Sequence, residues 1–365
     1  MRTVFKTSYD ADIRLFKHGA QAFWYGLLLL AVVALPWLIS DYMIGEAVNV
    51  LIWALAGLGL MVLTGQAGQA SLGHTAFLAV GCYTNAILQL KGVPFLVSFP
   101  VAGLLAGIVG VIVAIPALRL HGIYLAIFTL ALAVLVEDII VLAAPLTGGI
   151  SGLNAPTIKI LGAEIDRYGA PKLFYYLVLA VVVAVTLLYR NMLRSPLGRS
   201  FAAVRDSEIS AQAMGVDLAR TKAAAFGISC AITGLAGALM GHFAGTFNHE
   251  TFNLAIAIQL LLMIVIGGLG SIHGAFLGAI VVGFMPTMIA FLRDYVGKVT
   301  GTGSIAIPGL EAAVFAAILI GFILLEPMGM YGRWFKIRTY FELFPFYRRD
   351  MFKRQKSYLK TERMR

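Results

Sequence analysis

Apolar runs separated by short polar breaks fill most of the chain. They cover roughly 22–39, 45–63, 75–90, 95–118, 122–144, 173–189, 223–246, 254–269, 272–291 and 308–325. A helix needs about 20 mostly apolar residues to cross a bilayer. The pattern therefore predicts ten membrane-spanning helices, the eighth and ninth obtained by splitting one apolar stretch at its glycines. Three stretches between the runs are strongly basic: the N-terminus at 1–21, the loop 190–222 and the tail 329–365. Six spans separate the first two and four separate the last two. Both counts are even, so all three stretches fall on one side, the cytoplasmic one by the positive-inside rule. The intervening domain, 22–328, carries the membrane spans. The loop 145–172 falls on the other side and is rich in Gly and Pro, which predicts an ordered external cap. Ten spans divide into five plus five, and an odd number per half gives an inverted repeat with a solute site between the halves. The fold class expected is all-α, a polytopic membrane protein.

Composition agrees. The chain has 365 residues, 60% hydrophobic and 13% charged, against about a quarter charged in soluble domains. Its mean hydropathy is +0.87. The net charge of +10 does not point to nucleic acid, because the tail holds eleven Lys and Arg against three acids and supplies +8 of it. Run 22–39 is long for a signal peptide and no small-residue cleavage site follows it. Cys82 and Cys230 lie in apolar runs and read as core residues.

Three polar islands interrupt this background. The first, "LTGQAGQASLGHTAFLAVG" at 63–81, sets Gln66, Gln69, Ser71 and His74 among glycines. Clustered Gly lowers helix stability and predicts a broken or unwound segment. Such backbone is tolerated at membrane depth only inside protein or along a watery cavity. Amides and a hydroxyl there suit a neutral or zwitterionic solute, so these four residues are candidates for a translocation pathway. The competing reading is close helix packing with hydrogen bonds across the contact. The second island, "GGLGSIHGAFLGAI" at 267–280, reads as a tight turn and candidate hinge or gate formed by Gly267, Gly268, Gly270, Ser271 and His273. No carboxylate or Cys stands at ligand spacing to either histidine, so no metal is expected. Glu137 and Asp138 fall inside a span, where ionisable residues are functional candidates; an ion-coupled secondary transporter built on them is the alternative reading.

The third island is the loop. In "RSPLGRSFAAVRDSEISAQAMGVDLARTKAAAF" (194–226), Pro196 and Gly198 predict a turn, and Asp206 or Ser207 can N-cap a short helix. Gly215 can end that helix, and Asp217 can cap the next. A rigid helix held between two spans is a lever, and its natural partner is a protein that moves. At this point the residues resemble a known family. "AVRDSEISAQAMGVDLARTKAAAFGISCAITGLAGAL", "LTGQAGQASLGHTAFLAVGCYTNAIL" and "LLLMIVIGGLGSIHGAFLGAI" are similar to three signature regions of ABC-importer permeases of the branched-chain amino acid type, in the same order, over roughly 45–326. The resemblance implies an ABC-importer permease fold and a bacterial inner-membrane subunit that pairs with a homologous second permease, two ATPase subunits and a periplasmic solute-binding protein. It implies that Arg205, Asp206, Glu208, Ala211, Met214 and Gly215 carry the ATPase-coupling helix. The chain has no phosphate-binding G-x-x-x-x-G-K-[ST], so ATP would be bound by partners and no cofactor or enzymatic activity is expected here. The tail interleaves aromatic with basic residues, a pattern suited to a membrane surface.

Overall fold

The structure is a computed structural model that describes residues 19–160, 162–300 and 329–343, with residues 313, 316, 317, 320 and 321 between the last two stretches. The predicted tenth span, 308–325, lies almost wholly outside the described residues, as do 1–18 and the tail beyond 343. The described helices are α1 (Gly19–Leu38), α2 (Asp41–Leu60), α3 (His74–Leu90), α4 (Phe95–Ala117), α5 (Ile123–Leu142), α6 (Pro171–Arg194), α7 (Pro196–Asp206), α8 (Glu208–Ala213), α9 (Leu218–Ala244), α10 (Leu254–Gly267), α11 (Ile272–Thr300) and α12 (Gly329–Leu343). Among the described residues seven helical stretches are long and apolar enough to cross a membrane, in α2, α4, α5, α6, α9, α10 and α11. A shorter apolar helix, Ala22–Leu38 within α1, and the more polar 17-residue α3 stand where two more spans were expected. The stretch 254–291 does divide, into α10 and α11.

Helix α9 is the centre of the bundle and packs on α4, α3 and α2. Lipid tails are as apolar as leucine, so helices in a bilayer associate through close packing of small residues rather than hydrophobic burial. The contacts follow that rule. A Cβ on Gly237 of α9 would collide with the carbonyl of Leu78 in α3, and one on Gly81 of α3 with the carbonyl of Gly234. On its other flank α9 meets the glycines of α4; a Cβ on Gly110 would lie 2.6 Å from Cys230 Cβ. Both cysteines are buried and free.

The bundle has two distinct ends. At one, the cap face, two small antiparallel sheets qualify the all-α expectation. Strand β1 (Leu153–Asn154) pairs with β4 (Thr246–Phe247), which follows α9, and β2 (Ile158–Ile160) pairs with β3 (Ala163–Ile165). Arg167 fastens this cap to the bundle: its guanidinium donates to the Phe243 carbonyl at 3.2 Å and lies 3.9 Å from the Phe243 ring centroid. The 145–172 segment is thus structured and packed on the bundle. At the other end, the loop face, α7 and α8 connect α6 to α9. Pro196 and Gly198 do not form the predicted turn. They form the first turn of α7, because Ser195 accepts from the Gly198 N–H as N-cap and Pro is suited to the first helical position.

Candidate functional site

The first polar island is a break in the α2–α3 hairpin. Helix α2 widens into a π-helix at Met61–Gln66, a form rare elsewhere and frequent at functional sites. Residues 67–73 then have no regular structure, and α3 begins at His74. The structure brings this break against the second island, 204 residues away: Gln66 Nε2 donates to the Gly270 carbonyl at 2.9 Å, and the Gly270 N–H meets the Met61 sulfur at 3.1 Å. The second island is the tight α10–α11 turn, where Gly268 and Gly270 take positive φ. Ser271 Oγ closes it by donating to the Gly268 carbonyl and accepting from the Gly274 N–H. Gly267, the last residue of α10, lies so close to α11 that a Cβ on it would collide with the Gly274 carbonyl. His273 takes no part in this contact. It is exposed on α11, 2.7 Å from the Tyr25 hydroxyl.

The four residues of the first island have different fates. Ser71 and His74 belong to a buried chain that joins α3 to α9 and α2. Ser229 Oγ donates to the Gly59 carbonyl at 2.6 Å, so it accepts from His74 Nε2 at 2.7 Å. That fixes the proton on Nε2, and His74 Nδ1 accepts from Ser71 Oγ at 2.9 Å. The chain is closed, with no valence left for a solute. Thr129 of α5 closes the neighbouring backbone by accepting from the Leu72 N–H. Gln66 is committed to Gly270. Gln69 differs: it is only 7% exposed, and its Oε1 has no partner among the described residues, as is also true of the Thr75 hydroxyl. A buried orphan acceptor costs about 1–3 kcal/mol, so of the four candidates only Gln69 keeps an acceptor unspent on the fold.

The third island reaches the other two. Arg205, in the last turn of α7, donates from Nη1 to the Gly65 carbonyl of the π-helix at 3.2 Å and from Nε to Asp206 at 3.2 Å. Its stem packs over Gly68. Beyond it α8 is capped at both ends. Ser207, rather than Asp206, accepts from the Ser210 N–H. At the other end the Val216 N–H bonds the Ala211 carbonyl and the Gly215 N–H bonds that of Gln212, a Schellman closure that needs the left-handed φ of +85° at Gly215. Asp217 then caps α9 by accepting from the Arg220 N–H. Ala211 of α8 is buried, whereas Ile209 and the C-cap residue Met214 are 84% and 85% exposed. The short capped helix thus presents two bare apolar side chains, one near each end.

Glu208 latches α8 to the bundle. It pairs with Lys222 of α9 at 2.7 Å and with His121 of the α4–α5 turn at 3.2 Å. Partial burial alone would raise its pKa, but the hydrogen bond and charge of Lys222, helped by His121, outweigh that and hold the carboxyl below its ordinary value. Lys222 is a functional residue that sequence reasoning missed. It was counted as one more basic loop residue, yet it is only 4% exposed, and a buried ammonium requires a fixed anion. Ser229 and Thr129 were equally invisible, since nothing in an apolar run marks which hydroxyl will face a histidine. Glu137 and Asp138 lie one turn from the cap-face end of α5, with Asp138 exposed, away from all three islands.

The three islands form one continuous chain of contacts: Arg205 bonds α7 to the π-helix, and Gln66 bonds the π-helix to the glycine turn. Comparisons with known proteins agree on what such a chain resembles. Residues 42–325 match the family described as branched-chain amino acid transport system / permease component. The high-affinity branched-chain amino acid transport system permease protein LivM of Escherichia coli is 35% identical over 290 residues, 73% of this chain and 68% of that protein. Its Salmonella typhimurium namesake is 34% identical over the same shares. A probable branched-chain amino acid transport permease protein LivH of Methanocaldococcus jannaschii is 25% identical over 80% of this chain and 91% of its own length. No solved structure matches.

Proposed function

The chain belongs to the branched-chain amino acid transport system permease family, and from that premise we propose that it is the membrane subunit through which an ATP-driven importer moves leucine, isoleucine, valine or a related small polar solute. An importer of this class draws its work from ATPase subunits outside the permease. The observation that carries the reading is the joint on the loop face: α8 presents Ile209 and Met214 outward while Arg205 ties the adjoining helix to the Gly65 carbonyl. An ATPase that grips α8 and shifts it pulls directly on the π-helix and, through Gln66, on the α10–α11 turn. The break at 61–73 is then the moving part of the pathway, and Gln69 its solute-facing or water-facing acceptor. The 267–271 turn is the element that yields, with Gly267, Gly268 and Gly270 as its hinge.

In this reading the membrane domain completes ten spans as a five-plus-five inverted repeat in a bacterial inner membrane. The loop face and both termini are cytoplasmic. A LivH-like second permease, two ATPase subunits and a periplasmic solute-binding protein complete the assembly, and the cap face receives the binding protein. The secondary-transporter alternative is not favoured, because Glu137 and Asp138 stand at the end of a span rather than in its middle. The test is the double variant I209D/M214D in cells carrying the whole operon. It should lose ATPase co-purification and solute uptake while retaining the second permease. Uptake unchanged in that variant would remove the reading.

A further inference from the structure

Most hydroxyls inside this fold are spent on it. Thr129, Thr186 and Thr233 each donate to a carbonyl of their own helix, and Tyr175 donates to the Val32 carbonyl of α1. Two hydroxyls on α3 are not spent. Thr75 Oγ1 and Tyr83 OH have no partner among the described residues, and with Gln69 Oε1 they make three of the six buried side-chain atoms in that position. Thr75, Tyr83 and Gln69 are 0%, 5% and 7% exposed. Buried polar groups left unpaired in one stretch of chain call for a reason outside packing.

The two hydroxyls share one side of α3. The helix meets α9 at His74, Leu78, Cys82 and Asn85. Thr75, Ala79 and Tyr83 each follow one of these residues, so they form the neighbouring stripe, about 100° round the helix. Thr75 and Tyr83 lie about 12 Å apart along the axis, with only the small Ala79 between them. Tyr83 shows where the stripe leads: its ring meets Phe247 edge-on, centroids 5.0 Å apart, and Phe252 at 6.3 Å.

This side of α3 is lightly covered. Helix α3 packs chiefly on α9 and α4 and only weakly on α10. Phe252 directly precedes Asn253, the N-cap of α10, and α10 ends at the turn where Gly268 and Gly270 take positive φ. Phe247 is held separately, opposite Leu153 in the β1–β4 pair. A swing of α10 about its glycine turn therefore lifts Phe252 off Tyr83 and leaves Phe247 in place.

We propose that Tyr83, Thr75 and Gln69 form a polar track along α3 that carries the zwitterion of a small apolar α-amino acid, with Phe252 as its lid. The proposal rests on the reading of this chain as a permease. Hydroxyls donate to a carboxylate, and an amide oxygen accepts from an ammonium. Three neutral groups thus serve both ends of a zwitterion without placing an unpaired charge in the bundle, while Phe247 and Phe252 offer aromatic surface to an aliphatic side chain. Tyr83, nearer the cap face, is the first station. Thr75 and Gln69, beside the break, are the second.

The experiment uses the permease assembled with its second permease, ATPase subunits and binding protein in proteoliposomes. T75V and Y83F remove hydroxyls that make no bond in the fold, so the melting temperature should stay equal or rise. Each should cut kcat/KM for tritiated leucine uptake about tenfold, the loss of one hydrogen bond to a charged group. A second arm follows a thiol in A79C with a hydrophilic methanethiosulfonate, read residue by residue by mass spectrometry, with native Cys82 and Cys230 as buried references. The thiol at 79 should react faster than either reference, and faster with ATP than without. Wild-type uptake by both T75V and Y83F would overturn the proposal. So would lower melting temperatures with uptake reduced in proportion, or a thiol at 79 no faster than Cys82 in every nucleotide state while ATP is hydrolysed. A wild-type importer that takes up no leucine would count against the proposed solute instead, and the thiol arm would then decide the track by itself.

Discussion

At the residue scale the two polar side chains that look most alike in the sequence, His74 and Gln69, have opposite standing. His74 is spent on structure, its two ring nitrogens held by Ser71 and Ser229. Ser229→Ala leaves the Nε2–H buried without an acceptor and should destabilise the permease by about 1–3 kcal/mol. A lower melting temperature in detergent, with solute specificity unchanged in whatever folds, is the outcome that checks it. Gln69 is the reverse case. Its orphan Oε1 gives the fold nothing, and Gln69→Met should leave the melting temperature equal or higher while cutting uptake in proteoliposomes several-fold. A variant that melts lower and transports normally would return Gln69 to packing. The sequence exposed both residues as odd in an apolar run but could not tell them apart. Which one is satisfied depends on Ser229, 155 residues distant from His74.

At the element scale two contacts decide whether the lever works. The α3–α9 crossing depends on glycine: Gly237→Ala sets a methyl against the Leu78 carbonyl. Overpacking of this kind typically costs about 1–3 kcal/mol. Thermal unfolding of the purified variant should fall accordingly, whereas Gly92→Ala, at a turn with open space around it, should cost only the strain of its positive φ. The α8 latch depends on charge. Glu208 has a folded pKa below its unfolded value of about 4.3, so the link contributes fully above that value and is lost as pH falls through the lower, folded one. Amide exchange across 208–214 should therefore be slower in the wild type than in E208Q at pH 7, and the two should converge below about pH 4. The caps of α8 and the start of α9 were legible because capping is local chemistry, set by Ser207, Gly215 and Asp217 within a few residues. Helix α7 was not. Its Pro–Leu–Gly start reads as a turn until Ser195 is seen to accept from Gly198.

At the scale of the whole molecule, apolar periodicity gave the helices and their order, since a bilayer leaves a spanning segment little choice but helix. The polar islands announced themselves by their glycines. Their meeting did not, because Gln66 and Gly270 are joined only by the tertiary fold, and nothing local predicts that Arg205 reaches Gly65. The cap strands were equally hidden: β1 and β4 are two residues each and lie far apart in the chain. The central claim is that work enters this chain through α8 from a separate ATPase. The most direct measurement places a photo-crosslinking amino acid at Met214 in cells expressing the full importer. The account predicts a crosslink to the ATPase subunit whose yield changes with the nucleotide state. Crosslinks only to lipid or to a protein on the cap-face side, with the ATPase present and transport intact, would contradict it.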